Sequence, residues 1–576
     1  MTNQTKTTII DFDYMIYASI LALVISFNLY LTRIAFYIHN TLRDKTLPFT
    51  ICIIFTLIIL AIRLKKRWLL YSIAIFFSLY ALSENIVIKI LGSPYVFEDV
   101  VALASVSGVA FRYNLLPDIY GIMNVILLII SLCIVKKITK TNYKEANKTN
   151  LNVLILFLLS ANIISYHYAT GALNASVQEY RMDSQFHYAS CGGILYQLTQ
   201  LNTEETFPEN YDPDVVIEKI QEYKKDPKPT KMPNVITILS ESMYDFSHLK
   251  ETDYTENPLA FYNSLSDNAI KGYVRVSQFG GRTGNAEFSF LTMGFNPFFQ
   301  IKYPFISGLN VNGYSFAKYL KNVGYRTIAF HPGTASSYNR SEAYKILGFD
   351  KSYFDRDMVD KYGKENIEMI NENVSDQSFV KMLIDLYEEN RNKDDKPLFM
   401  HTVSIQSHSP YKVEGDVLVT DRTEDNPELD AYLTCLKETD NSIKTLIEYF
   451  QNVDEPTMIF IYGDHAPLIG DLFDPYFEEE NNAIFETPYL LWANFDIDTK
   501  QKEEIFALQY AQIMISEKAG IPLSGEEHLL KEIQKEYPTL SFTEYGTDLK
   551  NEADTPGTIL NLYRDYSYMQ IRQNIQ

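Results

Sequence analysis

Asn234-Val-Ile-Thr-Ile-Leu-Ser-Glu-Ser242 is the stretch on which the reading of the fold turns. Asn234–Leu239 is apolar and rich in β-branched residues, the pattern of a strand buried on both faces in a parallel sheet, and Ser240-Glu241-Ser242 ends it in a polar loop. Similar runs follow at Thr327–Phe330, Leu398–Ile405, Met458–Tyr462 and Tyr489–Trp492. Helical patterns fall between or after them, at Ser315–Asn322, Asp376–Tyr387, Pro427–Phe450 and Gln501–Glu517. Strands alternating with helices predict an α/β domain with a mixed or largely parallel sheet. Such sheets bind ligands beyond the carboxyl ends of their strands.

The chemistry-bearing residues follow that rule. Glu241 comes directly after the first strand. His408 lies in Ser404-Ile-Gln-Ser-His-Ser-Pro-Tyr411, and Asp464-His465 in Ile461-Tyr-Gly-Asp-His-Ala-Pro-Leu468. Thr283 sits in the glycine-rich Gly280-Gly-Arg-Thr-Gly-Asn-Ala-Glu-Phe288, where turn chemistry alone would explain the glycines. The loop also suits a hydroxyl at a helix N-terminus, where phosphate oxygens are stabilised. Each residue alone has an ordinary explanation: a Glu after a strand commonly caps a helix, Asp beside His is a frequent accident, and His331 and His408 suit satisfied structural histidines. His401 falls inside a strand and reads as structural. The set taken together is far less expected by chance than any member.

A threonine hydroxyl is a poor nucleophile until a metal lowers its pKa and holds it in line. Glu241, Asp464 and His465 are the expected metal ligands, with Thr283 the fourth. Arg340 is expected to hold an anionic phosphoryl oxygen, since arginine suits bidentate phosphate contact. His331 and His408 are expected to bind substrate or move a proton. The reaction class is a two-step phosphoryl-type transfer through a phospho-threonine ester.

Charge and hydropathy divide the 576-residue chain. Residues 1–170 carry 15 basic and 8 acidic side chains, a net of +7, which leaves −28 for the rest of a chain whose total is −21. A basic membrane part followed by an acidic soluble part argues against nucleic acid as a partner, because a phosphate backbone needs a basic surface. Of the four cysteines, Cys52 and Cys133 sit in apolar runs and Cys191 and Cys435 in the polar part. No Cys-x-x-Cys pair occurs, which argues against thiolate zinc sites and redox dithiols.

Five apolar runs precede residue 171: Tyr14–Ala35, Phe49–Ile62, Trp68–Leu82, Leu116–Val135 and Leu151–Ala169. They predict an all-α transmembrane domain of five helices, the second and third borrowing flanking residues to reach the roughly 20 residues a span needs. The basic clusters Arg63–Arg67 and Lys136–Lys148 both fall on the cytoplasmic side if the N-terminus is inside and the fifth helix exits outward. The large C-terminal domain is then extracellular. Asn85–Arg112 reads as an outward loop. The expected organisation is a multi-pass membrane domain over 1–170, a linker over 171–230 with an amphipathic helix at Asp212–Tyr223, and a catalytic domain over 231–576.

On these motifs the chain resembles the lipoteichoic acid synthase family, the phosphoglycerol transferases of the alkaline phosphatase/sulfatase superfamily. The resemblance runs from the membrane helices through the linker to a sulfatase-like α/β extracellular domain. It assigns Glu241, Thr283, Asp464 and His465 to the metal. Gln406-Ser-His-Ser-Pro-Tyr411 gives His408 as a substrate contact, and Phe330-His-Pro-Gly-Thr-Ala-Ser-Ser-Tyr-Asn-Arg340, continuing to Gly348-Phe-Asp350, gives His331 and Arg340. Two positions depart from the family: Tyr338 stands where a tryptophan is usual, and Gly333 where an acidic or polar residue is usual.

The resemblance implies phosphatidylglycerol as donor and a polyglycerolphosphate, glycolipid or other glycan as acceptor. It implies one divalent ion, manganese first, while the residue types alone fit magnesium or zinc as well. A phosphoethanolamine transferase is the nearest rival, disfavoured by the few histidines. A sulfatase or phosphatase is the next, but Gly281-Arg-Thr-Gly284 lacks the modifiable Cys or Ser context of sulfatases.

Overall fold

The computed structural model describes residues 12–41, 47–64, 66–91, 119–140, 158, 207–208, 210–223 and 232–571, less 300–302, 392–395, 413–416, 424, 471, 480, 500–504 and 542–546. Apart from Leu158, the fifth apolar run lies outside these residues, as do Cys191 and much of 171–230. The chain forms two compact units, one holding the N-terminal helices and one holding residues 205–576.

The first unit contains α1 (Phe12–Thr41), α2 (Leu47–Arg63), α3 (Arg67–Leu91) and α4 (Ile119–Lys140). Ala18, Leu21 and Ile25 of α1 pack with Ile54 and Ile58 of α2, Leu70, Ala74 and Ala81 of α3, and Val135 and Ile138 of α4. Inside this apolar contact Asn28 donates to Ser78 Oγ at 3.0 Å. The outer faces are also apolar, with Leu23, Phe27, Phe76, Leu79, Ile126 and Ile129 exposed. Arg67–Val87 and Ile119–Thr139 are long and apolar enough to cross a membrane, while the apolar stretches Ile16–Leu31 and Thr50–Arg63 are shorter. Helix α3 runs through Asn85–Leu91, which the sequence had suggested was loop. Ile86, Val87, Ile88, Ile90 and Leu91 continue its apolar pattern past Glu84-Asn85, so the helix does not stop at that polar pair.

The second unit opens with α5 (Pro213–Tyr223), capped by Asp212 Oδ1 accepting from the Asp214 and Val215 amides at 3.2 and 3.4 Å. The rest is an α/β domain whose elements used below are β1 (Asn234–Ser240), β2 (Ala269–Arg275), α6 (Thr283–Thr292), α7 (Phe316–Asn322), β3 (Arg326–Phe330), α8 (Arg340–Ile346), β4 (Lys351–Tyr353), α9 (Asp376–Arg391), β5 (Leu398–Val403), α10 (Pro427–Phe450), β6 (Thr457–Gly463), β7 (Glu486–Ala493), β8 (Phe506–Ala507) and α11 (Ala511–Ala519). One eight-stranded sheet runs in the order β8-β2-β7-β6-β1-β5-β3-β4. Strand β7 is antiparallel to both neighbours and every other pairing is parallel.

Strand β1 is central and buried along all seven residues, which is why it reads as an unbroken apolar run. On one face Ile236 and Ile238 pack with Phe379, Leu383 and Tyr387 of α9 and with Leu436 and Ile443 of α10. On the other, Phe290 of α6 lies against His401 of β5 and Tyr462 of β6, with ring centroids 5.7 and 5.0 Å apart. Two elements differ from expectation. Strand β2 carries Lys271-Gly272 and only alternate burial, so it lacks a continuous apolar signature. The helix expected over Gln501–Glu517 begins only at Ala511, because Phe506 and Ala507 pair with Val274 and Arg275 at the sheet edge.

Candidate active site

Four adjacent parallel strands, β6-β1-β5-β3, end at one edge of the sheet. The register aligns Ser240 with Gly463, Leu239 with Val403, and Phe330 with Thr402. The next residues outward are therefore Glu241, Asp464, Ser404 and His331. This is the carboxyl edge where open α/β sheets place their ligands.

Glu241, Asp464 and His465 are all buried, and one ligand atom from each lies within 4.8 Å of the others. Ser242 binds the group together. Its amide donates to Asp464 Oδ1 at 2.8 Å and its hydroxyl to Glu241 Oε1 at 3.1 Å. That reach requires a left-handed backbone at Ser242, with φ of 52°. The Glu241 amide in turn donates to Ser404 Oγ at 3.1 Å. Gly463 permits the approach of β6 to this loop. A Cβ there would stand 2.1 Å from the Met243 carbonyl oxygen and 2.9 Å from Thr487 Cβ. Gly463→Ala is accordingly expected to destabilise the domain by about 1–3 kcal/mol and to pull Asp464 away from Glu241. Chemical unfolding of the purified protein checks the first effect and metal titration the second.

His465 Nδ1 lies 2.9 Å from the Ala466 carbonyl, and in the tautomer that donates there Nε2 carries a bare lone pair. That nitrogen is 3.1 Å from Asp464 Oδ2 and 3.6 Å from Glu241 Oε1. Neither Asp464 Oδ2 nor His465 Nε2 has a hydrogen-bond partner, and both are buried. Two lone-pair atoms so placed repel unless a cation lies between them. Burial, and then the Asp464 charge, raise the Glu241 carboxyl above the usual carboxylate range. The donor set of two carboxylates and one imidazole fits a divalent metal.

Thr283 is the first residue of α6, with its hydroxyl donating to Glu241 Oε2 at 3.2 Å. Arg282 before it is left-handed, with φ of 68°, and turns the chain sharply into the helix. The first amides of α6 have no partner within the helix and the helix dipole favours an anion there. The structure thus brings Thr283, Glu241, Asp464 and His465 together.

His331 and Arg340 come from the loop after β3. His331 Nδ1 pairs with the Val403 carbonyl at 3.1 Å. Burial, with Arg340 adding to it, pushes its pKa down to about 3, so the ring is neutral. Gly333 accommodates it, since a Cβ there would stand 2.5 Å from His331 Nε2. Tyr338 and Asn339 are both left-handed, with φ of 50° and 56°. The Tyr338 ring covers Gly284, where a Cβ would come within 2.9 Å of it, and lies 5.0 Å from the Arg340 guanidinium. The half-buried His408 pairs through Nδ1 with the Ser409 carbonyl at 2.7 Å.

Arg340 is engaged by a carboxylate within the domain. It is 2 % exposed, and its Nε and Nη2 donate to Glu287 Oε1 at 2.8 and 2.6 Å. The Tyr344 hydroxyl donates to Glu287 Oε2 at 2.6 Å, and His401 Nε2 stands 3.8 Å from the same oxygen. Burial pushes the Glu287 carboxyl up, but Arg340 and then His401 outweigh it and hold the pKa down to about 2. Sequence reasoning missed Glu287, Tyr344 and Ser242 as members of the site. The signal for Glu287 was available: it is an ionisable residue in the apolar run Ala286–Leu291, one turn beyond Thr283.

Residues 233–512 match the sulfatase family model. The chain is 28 % identical over 367 residues to a putative cyclic beta-1,2-glucan modification protein of Rhizobium meliloti, covering 59 % of this chain and 54 % of that protein. It is 26 % identical over 248 residues to the lipoteichoic acid synthase of Staphylococcus saprophyticus, covering 41 % of this chain and 36 % of the synthase. The matched region thus spans about half the length of the first relative and less of the second. The Streptococcus pyogenes phosphoglycerol transferase GacH, solved with sn-glycerol-1-phosphate, superimposes with a TM-score of 0.51 at 21 % identity, over 64 % of this chain and 94 % of that one. That likeness shows a shared fold. Over residues 233–512 the chain is therefore similar to the sulfatase family, and part of it is similar to lipoteichoic acid synthase.

Proposed function

We propose that this protein is a membrane-bound transferase that moves glycerol phosphate from phosphatidylglycerol to a teichoic-acid-type polymer, glycolipid or other surface glycan. The observation that carries the reading is the Thr283 hydroxyl at a helix N-terminus, bonded to Glu241 beside the unpartnered Asp464 Oδ2 and His465 Nε2. Glu241, Thr283, Asp464 and His465 would hold one divalent ion, manganese in our reading, and that ion would lower the hydroxyl pKa and offset phosphoryl charge.

Thr283 Oγ1 attacks phosphorus, its proton passing first toward Glu241 Oε2. The bond from phosphorus to the diacylglycerol oxygen breaks, that oxygen takes up the proton held at Glu241, and diacylglycerol leaves with a glycerophosphoryl ester remaining on Thr283. An acceptor hydroxyl then attacks phosphorus, its proton passing by way of Glu241 to Thr283 Oγ1 as the bond from phosphorus to the threonine breaks and the hydroxyl is restored. Arg340 keeps two N–H bonds for a phosphoryl oxygen with Glu287 and Ser337 bound, because a guanidinium has five and three are committed. His331, neutral and with Nδ1 committed, presents Nε2 as an acceptor for a head-group hydroxyl. His408 serves as a second substrate contact. The N-terminal helices, read as a five-helix multi-pass anchor over 1–170 with its N-terminus inside, hold the domain at the outer face. Residues 171–230 form the linker and 231–576 the catalytic domain.

Gly333→Ala is expected to turn His331 away and raise the donor KM roughly tenfold, about the value of one hydrogen bond, with kcat little changed. Steady-state kinetics check this. The proposal itself is tested by incubating the protein in membranes with head-group-labelled phosphatidylglycerol and a divalent ion. Labelled polymer or glycolipid together with diacylglycerol is expected. Free glycerophosphate or inorganic phosphate as the only labelled product would contradict transfer.

A further inference from the structure

We propose that Glu287 is a positioning residue for the transfer, setting the orientation of Arg340 and coupling it to Thr283. The inference rests on the reading of Arg340 as a phosphoryl contact. Helix α6 carries Thr283 at its start and Glu287 four residues on, about one turn, so the two share a helix face. The first meets Glu241 at 3.2 Å and the second receives Arg340. Arg340 itself opens α8, directly after the left-handed pair Tyr338-Asn339. One carboxylate therefore joins the nucleophile helix to the loop that supplies both Arg340 and His331.

The geometry fixes the guanidinium closely. Nε and Nη2 both point at Glu287 Oε1, and Nη1 donates to Ser337 Oγ at 3.3 Å. The second Glu287 oxygen is held by Tyr344, so the carboxylate cannot swing. Glu287 is fully buried and Arg340 nearly so, which leaves little solvent to screen the pair. The charges of Glu287 and Arg340 match, so Arg340 acts in the reaction as an oriented donor more than as surplus positive charge.

The test uses the full-length protein in detergent with Mn2+ and bis(p-nitrophenyl) phosphate, alongside phosphatidylglycerol. Arg340→Ala is assayed with and without added guanidinium, alone and combined with Glu287→Gln. We expect guanidinium to raise the activity of the single variant about tenfold or more and that of the double variant less than about twofold, because Glu287 supplies the cradle. Glu287→Gln alone should lower kcat about 30-fold with KM little changed, the pattern of an interaction made in the transition state. Equal rescue in both backgrounds, no rescue of Arg340→Ala, or wild-type kcat in a folded Glu287→Gln protein overturns the proposal. Should Glu287→Gln not fold, Glu287→Asp keeps the charge with a shorter reach. Its kcat should fall about tenfold at unchanged KM, and a wild-type kcat would count equally against the inference. Turnover of the diester without turnover of phosphatidylglycerol by the wild type removes the donor reading and leaves the positioning test intact.

Discussion

Thr283→Ala is expected to lower transfer by on the order of 10^4-fold or more, the scale seen when a covalent nucleophile is removed. Position 283 opens a wholly buried helix whose first turn faces Glu241, and position 284 is a glycine covered by the Tyr338 ring. The fold should survive. The hydroxyl bonds to Glu241, which keeps its other oxygen bonded to Ser242, so unfolding free energy should change by about 1 kcal/mol. Thr283→Ser should retain part of the activity, since the hydroxyl stays and only the methyl group is lost. An alanine variant with full transfer activity would rule out the covalent mechanism.

The second large effect changes sign with metal. Asp464→Asn keeps the Ser242 amide bond to Oδ1 and places an amide N–H about where Oδ2 lies, 3.1 Å from His465 Nε2. In metal-free protein with the His465 ring in the tautomer that donates to Ala466, this replaces a repulsive contact with a hydrogen bond and removes a like charge from Glu241. The metal-free variant is therefore expected to melt above the metal-free wild type. With metal the order reverses. An ion at 100 times its Kd stabilises the wild type by about 2.7 kcal/mol, and a variant with one ligand charge missing loses most of that. Activity should fall by more than the roughly 10–100-fold typical when a residue hydrogen-bonded to a metal ligand is changed. Differential scanning calorimetry with chelator and with Mn2+ checks the crossing. A variant less stable than wild type in both conditions would mean that Asp464 is a structural residue.

Much of the candidate site's edge was legible because buried parallel strands and their polar endings leave direct marks. Asn234–Ser240 is buried throughout and carries no charged residue, and the same holds for β6, so Glu241 and Asp464-His465 stood out as the first charged or titratable residues after each. Thr283 was legible through the glycines that let the chain turn into α6. The relationships between residues were hidden. Ser242 looks like a loop serine until its positive φ aims both its amide and its hydroxyl at the two carboxylates. Glu287 looks like part of a motif until Arg340, 53 residues away, arrives as its partner. Sequence shows the charge of Arg340 but not the carboxylate that balances it. Strand β2 escaped because it is mostly only alternately buried, and Lys271-Gly272 breaks its apolar run.

The central claim is that Thr283 becomes covalently esterified by the donor head group. The most direct measurement mixes full-length protein, Mn2+ and head-group-labelled phosphatidylglycerol without acceptor, quenches in acid, and maps the label by peptide mass spectrometry. The account predicts a glycerophosphoryl adduct on Thr283 that disappears when acceptor is added and never forms in Thr283→Ala. Label on another residue, or diacylglycerol released at the wild-type rate by Thr283→Ala, would contradict it.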